Sequence, residues 1–186
     1  MFVELLLAVG CGAPEPLPRL GTVPAFQLVE RSGRPVTSDS LRGKTWVADF
    51  IFTRCGAACP AMTARMARLR REVPADVVFV SFTVDPAYDT PENLSRYATS
   101  FKAGDGWLFV TGPQKALYAL STEGFKLAAM EVPPEQQEEG GDGPFLHSSK
   151  FVLVDRSGEI RGYYDSTEED DMGTLAADIG RLRRAS

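Results

Sequence analysis

The chain has 186 residues, of which 44% are hydrophobic and 24% are charged. These proportions are typical of a globular domain with a substantial core. The net charge is −5, and the densest basic cluster, at residues 65–71, has the pattern of the solvated face of a helix. Nucleic-acid binding is therefore disfavoured.

The first twenty residues differ in composition from the rest. Residues 1–12 form a short apolar run that ends in small residues around Cys11. This run resembles the end of a bacterial lipoprotein signal, in which the cysteine becomes lipidated. Glu4 interrupts the run, no basic residue precedes it, and it is too short to span a bilayer. The open alternative is a disordered apolar N-terminus with a free thiol.

Alternating prolines at positions 14, 16 and 18 favour an extended spacer. We therefore expect residues 1–20 to be a lipoprotein-like segment followed by a Pro-rich tether, and residues 21–186 to form one domain. A lipidated Cys11 implies a periplasmic or other extracytoplasmic location, with the membrane reached only through this anchor. Structural disulfides can persist in such a compartment.

Strand and helix patterns alternate from residue 20 onward. Apolar, β-favouring runs predict strands, and amphipathic runs with cap signals, such as Thr90 before Pro91, predict helices. The predicted strands cover 26–29, 46–52, 77–83 and 107–110, and the predicted helices cover 58–72, 90–101 and 113–121.

The pattern changes after residue 130. Residues 131–146 are acidic and rich in Gly and Pro, which predicts a mobile surface loop. A hairpin over 150–164 and a helix over 168–183 complete the chain. Strands joined by helices imply a mixed sheet covered on both faces. We predict an α/β, thioredoxin-like fold whose central mixed β-sheet is flanked by helices, with an N-terminal β addition and an inserted loop before the last hairpin.

Cys55 and Cys59 lie where the strand at 46–52 meets the helix at 58–72. Sites in open α/β sheets gather at the carboxyl ends of strands, and the amino end of a helix stabilises a thiolate. The pair could be a redox couple, a metal site or a structural disulfide. The last is disfavoured because closing so short a loop restricts the unfolded chain little.

His147 separates the remaining alternatives. It follows the acidic loop and precedes the strand at 150, whose entry we expect close to the helix that carries the cysteines. Two thiolates and one imidazole suit a soft ion such as Cu(I). Zn²⁺, with a fourth ligand, stays open. The alternative without a functional role is that His147 is a solvated loop histidine.

Three motifs carry a family resemblance. They are FTRCGAACP at 52–60, which contains a C-x-x-x-C-P element, VDP at 84–86 followed by DTPE at 89–92, and His147 ahead of FVLVDRSG at 151–158. In this order they resemble the Sco/SenC family of thioredoxin-fold copper proteins, which serve cytochrome c oxidase assembly. The resemblance covers about residues 22–183.

The resemblance implies that Cys55, Cys59 and His147 are ligands of copper, as Cu(I) or Cu(II). It places Asp85 near the site as a supporting group, with a simple turn residue as the alternative. We expect Asp89 to be a local partner of the helix start. Gly56 departs from the family, many members of which have proline there.

The implied function is that of a copper metallochaperone. It would deliver copper to the binuclear copper site of cytochrome c oxidase subunit II, or to another copper protein, or maintain the thiols of that site. A thiol reductant or a copper donor protein would be a further partner. The alternative is a thiol–disulfide oxidoreductase that uses Cys55 and Cys59 without an obligatory metal. A peroxidase is disfavoured because Phe52 and Gly56 occupy the positions where peroxiredoxins have Thr or Ser.

Overall fold

Six consecutive buried residues, Trp46–Ile51, form the central strand of the computed structural model. The structure describes residues 15–133, 135 and 143–184. Cys11 and half of the predicted loop at 131–146 lie outside these ranges. Among the described residues, no helix combines the length and apolar character needed to cross a membrane.

The strands and helices follow one another in an order close to the predicted one. They are β1 (Gly21–Thr22), β2 (Gln27–Glu30), β3 (Pro35–Thr37), α1 (Ser38–Leu41), β4 (Trp46–Ile51), α2 (Ala58–Glu72), β5 (Val78–Thr83), α3 (Pro91–Ser100), β6 (Trp107–Thr111), α4 (Gln114–Ala119) with a π-helical turn after it (Leu120–Gly124), β7 (Ala129–Glu131), β8 (Phe145–His147), β9 (Lys150–Val154), β10 (Glu159–Asp165) and α5 (Glu169–Arg184).

Eight strands form one mixed sheet in the order β1-β10-β9-β4-β5-β6-β2-β3. β4, β5 and β6 are parallel, and the remaining pairs are antiparallel. Parallel neighbours need a crossover, which α2 supplies between β4 and β5 and α3 supplies between β5 and β6. The prediction of a mixed sheet with N-terminal additions is confirmed.

Helices cover one face of the sheet and an aromatic cluster covers the other. On the first face α2 and α3 are joined by a 2.8 Å hydrogen bond between the Thr63 and Tyr97 hydroxyls. On the opposite face the Phe125 ring, beyond the π-helical turn, packs against three rings of the sheet, those of Trp46, Phe50 and Phe82. Both faces of β4 are thereby buried, which explains why its sequence is continuously apolar except at one position.

The segment before the central strand contains more structure than the sequence predicts. β3 pairs with β2, and α1 begins at a capping box in which Thr37 and Ser40 each bond the other's backbone N–H at 3.1 Å. Three-residue strands and one-turn helices lack the repeated apolar period that identifies longer elements.

The ends of the predicted loop at 131–146 are strands. Glu131 belongs to β7 and Phe145 to β8, and these strands form a separate antiparallel pair in which Ala129 lies opposite His147. The prediction of a loop is therefore wrong at both ends. His147 therefore lies on a paired strand, and the acidic segment is the connection between β7 and β8.

The predicted tether lies against the domain from residue 15 onward. Arg161 on β10 donates hydrogen bonds to the carbonyls of Leu17 and Pro18, and Arg181 on α5 donates to the carbonyl of Glu15. The Leu17 side chain packs on the edge of the core. The predicted boundary after residue 20 stays a prediction.

Candidate metal centre

The two cysteines occupy the junction between β4 and α2. Cys55 lies in the turn after the strand, and Cys59 lies in the first turn of the helix. The backbone N–H of Cys59 donates to the Cys55 Sγ at 3.2 Å, and the N–H of Phe52 donates to the Cys59 Sγ at 3.4 Å. Both side chains are buried, and no disulfide joins them. Backbone donors thus fix each sulfur in place.

His147 brings the third donor to the same point. Its Nε2 lies 3.0 Å from the Cys59 Sγ, and its Nδ1 lies 3.2 Å from the Ser148 carbonyl. The Phe52 ring meets the imidazole edge-on, with centroids 5.6 Å apart. A metal ligand needs the Nε2 lone pair for the ion, and the Ser148 carbonyl is placed to accept the proton that Nδ1 then carries.

Cys55, Cys59 and His147 form a three-point donor group. One Sγ from each cysteine and one imidazole nitrogen all lie within 4.8 Å of one another. Sulfur and imidazole donors at this spacing suit a soft cation of low coordination number, and copper fits this donor set. Sequence reasoning identified all three residues, and the structure brings them together. Their role as ligands stays a prediction.

The pKa values of the two cysteine thiols are shifted in opposite directions. The pKa of the Cys55 thiol is lowered to about 4, chiefly by a hydrogen bond from the Cys59 side chain and further by His147 and by backbone N–H groups. Burial raises the pKa of Cys59 strongly, and the neighbouring Cys55 raises it further. Cys55 is therefore the thiolate and Cys59 the proton-bearing partner in the metal-free chain.

Arg54 connects the cysteine turn to the β5–α3 loop. Its Nε lies 2.6 Å from the Asp85 carboxylate, which is buried, and this pairing raises the pKa of the guanidinium. The same guanidinium stacks over the rings of Tyr88 at 5.1 Å and Phe145 at 5.9 Å. Asp85 thus meets the site through the residue next to Cys55, and its supporting role stays a prediction.

Asp89 differs from its expected role. Its carboxylate accepts hydrogen bonds from the Thr53 N–H at 3.1 Å, from the Thr53 hydroxyl and from the Thr83 hydroxyl at 2.5 Å. The helix start is capped by Thr90, which accepts from the Asn93 N–H at 3.3 Å. The expectation of a local partner was wrong, because the buried carboxylate ties the cysteine turn to the end of β5. Burial raises its pKa despite these bonds.

Asp49 is a buried carboxylate that the sequence analysis passed over. It lies on β4 opposite Ser81 of β5, is fully buried, and neither of its oxygens has a hydrogen-bond partner among the described residues. Burial raises its pKa to about 7, against the opposing effects of Ser81 and His147, and its charge in turn raises the pKa of Cys59. The available signal was a single acidic residue inside the apolar run WVADFIF.

Fold and site together define a thioredoxin-like domain with a Cys–Cys–His group at the carboxyl end of its central strand. The model of one family, SCO1/SenC, matches residues 15–183. The chain belongs to the SCO1/SenC family.

Relatives in bacteria and fungi support this assignment. The SCO1 protein homolog of Bacillus subtilis is 34% identical over 162 residues, which cover 84% of this chain and 80% of the relative. Protein sco1 of Schizosaccharomyces pombe is 36% identical over 169 residues, covering 88% of this chain and 60% of the relative.

Solved structures agree with the fold. A SCO1/SenC family lipoprotein from Bacillus anthracis superposes with a TM-score of 0.81 at 31% identity, covering 91% of this chain and 99% of the other. ScoI of Bradyrhizobium japonicum, solved with copper bound, superposes with a TM-score of 0.72 at 25% identity, covering 87% of this chain and 99% of ScoI. BsSco is described as a member of a family of cytochrome c oxidase assembly proteins. It superposes with a TM-score of 0.77 at 31% identity, covering 91% of this chain and 98% of BsSco.

Proposed function

We propose that the chain binds one copper ion through Cys55, Cys59 and His147 and hands it to cytochrome c oxidase subunit II or another copper protein. The observation that carries this proposal is the 3.0 Å approach of the His147 Nε2 to the Cys59 Sγ. Thiol exchange needs two sulfurs, but it does not need an imidazole from a separate strand. The copper bound to the Bradyrhizobium relative supports the choice of ion.

Ligand exchange is the proposed route of transfer. The cysteines are held by the β4–α2 junction, whereas His147 arrives on the short β7–β8 pair. An incoming thiolate of the partner can displace the imidazole first, because moving β8 leaves the central sheet intact. The two sulfurs of this chain would then leave one at a time. Copper is cargo in this scheme, so moderate affinity suits the task.

The cysteine pair supports a second candidate function. A thiolate at Cys55 beside a protonated Cys59 is the arrangement of a dithiol reductant, with Cys55 as the attacking sulfur. In this role the pair would keep the thiols of the oxidase copper site reduced, and a thiol reductant would regenerate it. The two functions compete for the same sulfurs, because an oxidised pair cannot bind copper through thiolates.

We further propose that the chain works outside the cytoplasm, anchored through a lipidated Cys11. The relative from Bacillus anthracis is described as a lipoprotein, which supports this location. Cys11 itself lies outside the described residues.

Metal analysis of the reduced chain tests the copper proposal. We expect one Cu(I) per chain, and loss of copper under competition with a chelator after Cys55→Ser, Cys59→Ser or His147→Ala. Cys11→Ser is the matched control, since it removes the remaining thiol and should retain copper. His147→Ala should still reduce a small disulfide substrate. Unchanged copper affinity in His147→Ala would refute the three-ligand site.

A further inference from the structure

The end of the domain opposite the metal centre contains the amino ends of the parallel strands. Lys44 lies two residues before β4, and Arg156 lies in the β9–β10 turn, where its carbonyl accepts from the Gly43 N–H at 2.8 Å. Both cationic residues are exposed. Cys55 follows the other end of β4, so the length of the strand separates these cations from the sulfurs.

The crossover helices α2 and α3 end on the same side. α2 begins beside the cysteines, and Arg71 near its end lies twelve residues beyond Cys59, about 18 Å along the axis. The neighbouring Arg70 guanidinium donates to the Asp105 carbonyl in the loop before β6. α3 runs from the carboxyl end of β5 toward the amino end of β6, so Lys102, two residues after it, lies on this side as well.

Helix α5 also ends there. It runs parallel to α2, because the Glu169 carboxylate at its start lies 2.7 Å from the Arg68 guanidinium, and Arg183 near its end lies 3.0 Å from Asp76 in the turn between α2 and β5. Arg184 is its last residue. Six cationic residues define what we call the basic end, namely Lys44, Arg70, Arg71, Lys102, Arg156 and Arg184.

The basic end has more cations than carboxylates. None of its six residues enters an ion pair within the described ranges. Glu15 and Asp105 are the nearby described carboxylates that also lack an ion pair, and Glu123 and Lys126, after α4, offset each other. Seven further carboxylates are each paired with an arginine, and they are Glu30, Asp39, Glu72, Asp76, Asp155, Glu159 and Asp178. The excess charge of this end is therefore positive.

Helix stabilisation accounts for only half of the basic end. Arg70, Arg71 and Arg184 lie in the last turns of their helices, where a cation complements the helix dipole. The other three residues lie in connections between elements, where no helix accounts for their charge.

The opposite end of the domain is acidic. Five carboxylates at the end that contains the metal centre are at least partly exposed and have no ion-pair partner in the part of the chain that the structure describes; these are Glu92, Glu131, Glu168, Asp170 and Asp171. Two cations without an ion pair, Arg65 and Lys115, oppose them. The net charge of the chain is −5, but its charge is separated along the direction of the strands.

We propose that the basic end binds the anionic phospholipid headgroups of the bilayer in which a lipidated Cys11 is inserted. The inference rests on the proposed extracytoplasmic anchor. Arg181 of α5 donates to the Glu15 carbonyl, and Cys11 precedes Glu15 by four positions, so the anchor would be joined to the domain at this end. An acidic protein would match the charge alone, whereas the membrane matches both the charge and the point of attachment.

Electrostatic attraction makes this contact effective at the membrane surface. Each Lys or Arg close to an anionic bilayer raises the affinity about fivefold, and the attraction falls off within a Debye length of about 8 Å at physiological salt. A lipid chain alone leaves the domain free to turn, whereas a lipid combined with a basic patch supplies two attachments. The acidic end is repelled by the same surface, so Cys55, Cys59 and His147 would face the aqueous side.

Vesicle binding by the reduced, metal-free, full Cys11→Ser chain, which has no lipid, tests the proposal. The probes are vesicles of phosphatidylcholine and vesicles of an equimolar mixture of phosphatidylcholine and phosphatidylglycerol. We expect affinity at least about tenfold higher for the anionic vesicles, weakening as salt is raised from about 0.01 M to about 0.15 M. The apolar residues 1–12 are present in both measurements, so the difference between the two compositions isolates the charge.

Matched variants locate the surface. Arg71→Gln with Arg184→Gln should weaken binding to the anionic vesicles about 25-fold. Arg96→Gln with Lys115→Gln changes the net charge equally at exposed positions outside the basic end, and it should bind as the Cys11→Ser chain does. Equal loss in the two double variants overturns the proposal. So does hydrogen-exchange protection by anionic vesicles at Glu92 rather than at Lys44.

Two further measurements separate this inference from the proposed function. Mass spectrometry of the membrane-extracted chain tests the lipid on Cys11: a chain without lipid refutes the proposed anchor, whereas equal binding to both kinds of vesicle refutes the basic end as a membrane surface. Copper retention should be unchanged in Arg71→Gln with Arg184→Gln. Binding to poly-glutamate without any preference for anionic vesicles would assign the surface to an acidic protein and overturn the proposal.

Discussion

The imidazole Nε2 of His147 lies 3.0 Å from the Sγ of Cys59, although 88 positions of sequence separate the two residues. The sulfur belongs to a helix at the end of the central strand, and the imidazole belongs to a two-stranded pair outside the main sheet. The donor group is thus assembled from two bodies of the fold. The imidazole is the member of the donor group that the main sheet does not carry.

The lowered pKa of Cys55 predicts unusual alkylation kinetics. In the metal-free, reduced Cys11→Ser chain, iodoacetamide should modify Cys55 first, at a rate nearly constant between pH 6 and 8, because its pKa of about 4 leaves it a thiolate throughout. An ordinary thiol would react on the order of 100-fold faster at pH 8 than at pH 6. Cys59 should stay unmodified, because burial raises its pKa.

Mass mapping of the modified peptide checks this assignment. Cys55→Ser should lose the rapid, pH-independent phase, whereas Cys59→Ser should keep a reactive thiol. A rate that rises with pH like that of a free thiol would show that Cys59, His147 and the backbone N–H groups do not hold Cys55 as a thiolate.

Asp49 predicts a pH dependence of stability. Its pKa of about 7 in the folded chain lies above the value of 3.8 expected when unfolded, so the folded state binds the proton more tightly. The contribution of Asp49 to stability should therefore be greatest below about pH 4 and should fall as pH rises toward 7. It should then level off, with a loss of at most about 4 kcal/mol.

Urea denaturation of the metal-free chain and of Asp49→Asn, across pH 4 to 8, measures this effect. The asparagine variant cannot ionise, so its stability relative to the unchanged chain should increase with pH over that window. Other titrating groups, such as Asp165 with its lowered pKa, are present in both proteins and cancel in the difference. A constant difference across the window would contradict a buried, titrating Asp49.

The Arg54–Asp85 pair predicts coupled effects on stability. Asp85 is buried, whereas the Arg54 side chain is 47% exposed, so solvent screens part of the interaction. Arg54→Met leaves the carboxylate without its charged partner and should cost about 1–3 kcal/mol of unfolding free energy. The double variant with Asp85→Asn should lose less than the sum of the two single changes. Strictly additive losses in chemical denaturation would show that the contact contributes nothing.

Replacing Asp89 should reduce both the stability of the chain and the order of the turn that carries Cys55. Asp89→Ala removes three hydrogen bonds at the β4–α2 turn and should destabilise the chain by about 2–4 kcal/mol. The matched control is Asp76→Ala, which removes a surface ion pair to Arg183 and should cost less than about 1 kcal/mol. Thr53 precedes the cysteine turn, so the pH-independent alkylation of Cys55 should also weaken in Asp89→Ala. Equal stability of the two variants would contradict a stabilising role of the Asp89 hydrogen bonds to Thr53 and Thr83.

The long elements and the donor group could be predicted from sequence because each leaves a local signal. The strand WVADFI has the apolar run of a buried β4, Thr90 and Pro91 mark the start of α3, and the four-residue spacing of the cysteines marks a helix start. The short strands β1, β3, β7 and β8 carry no such period. Their positions follow from pairing with distant partners, which a single sequence does not display.

The supporting carboxylates were harder to predict for a related reason. Asp89 sits beside a helix cap, so a local role was the simplest interpretation, yet its partners lie 36 and 6 positions back at Thr53 and Thr83. In the sequence, Asp49 is a single acidic residue in an apolar strand. Its complete burial becomes apparent only from the packing of the helices over β4. In both cases the side chain's environment is built by segments remote in sequence.

The hydrogen bond from Arg181 to the Glu15 carbonyl ties the start of the described chain to α5. Helix α5 starts at Glu169, and Arg181 lies twelve residues later, about 18 Å along the helix axis. Glu15 is therefore held near the carboxyl end of α5. If Cys11 holds a lipid, the four positions from Cys11 to Glu15 span at most about 14 Å, so that end of α5 would stay close to the bilayer.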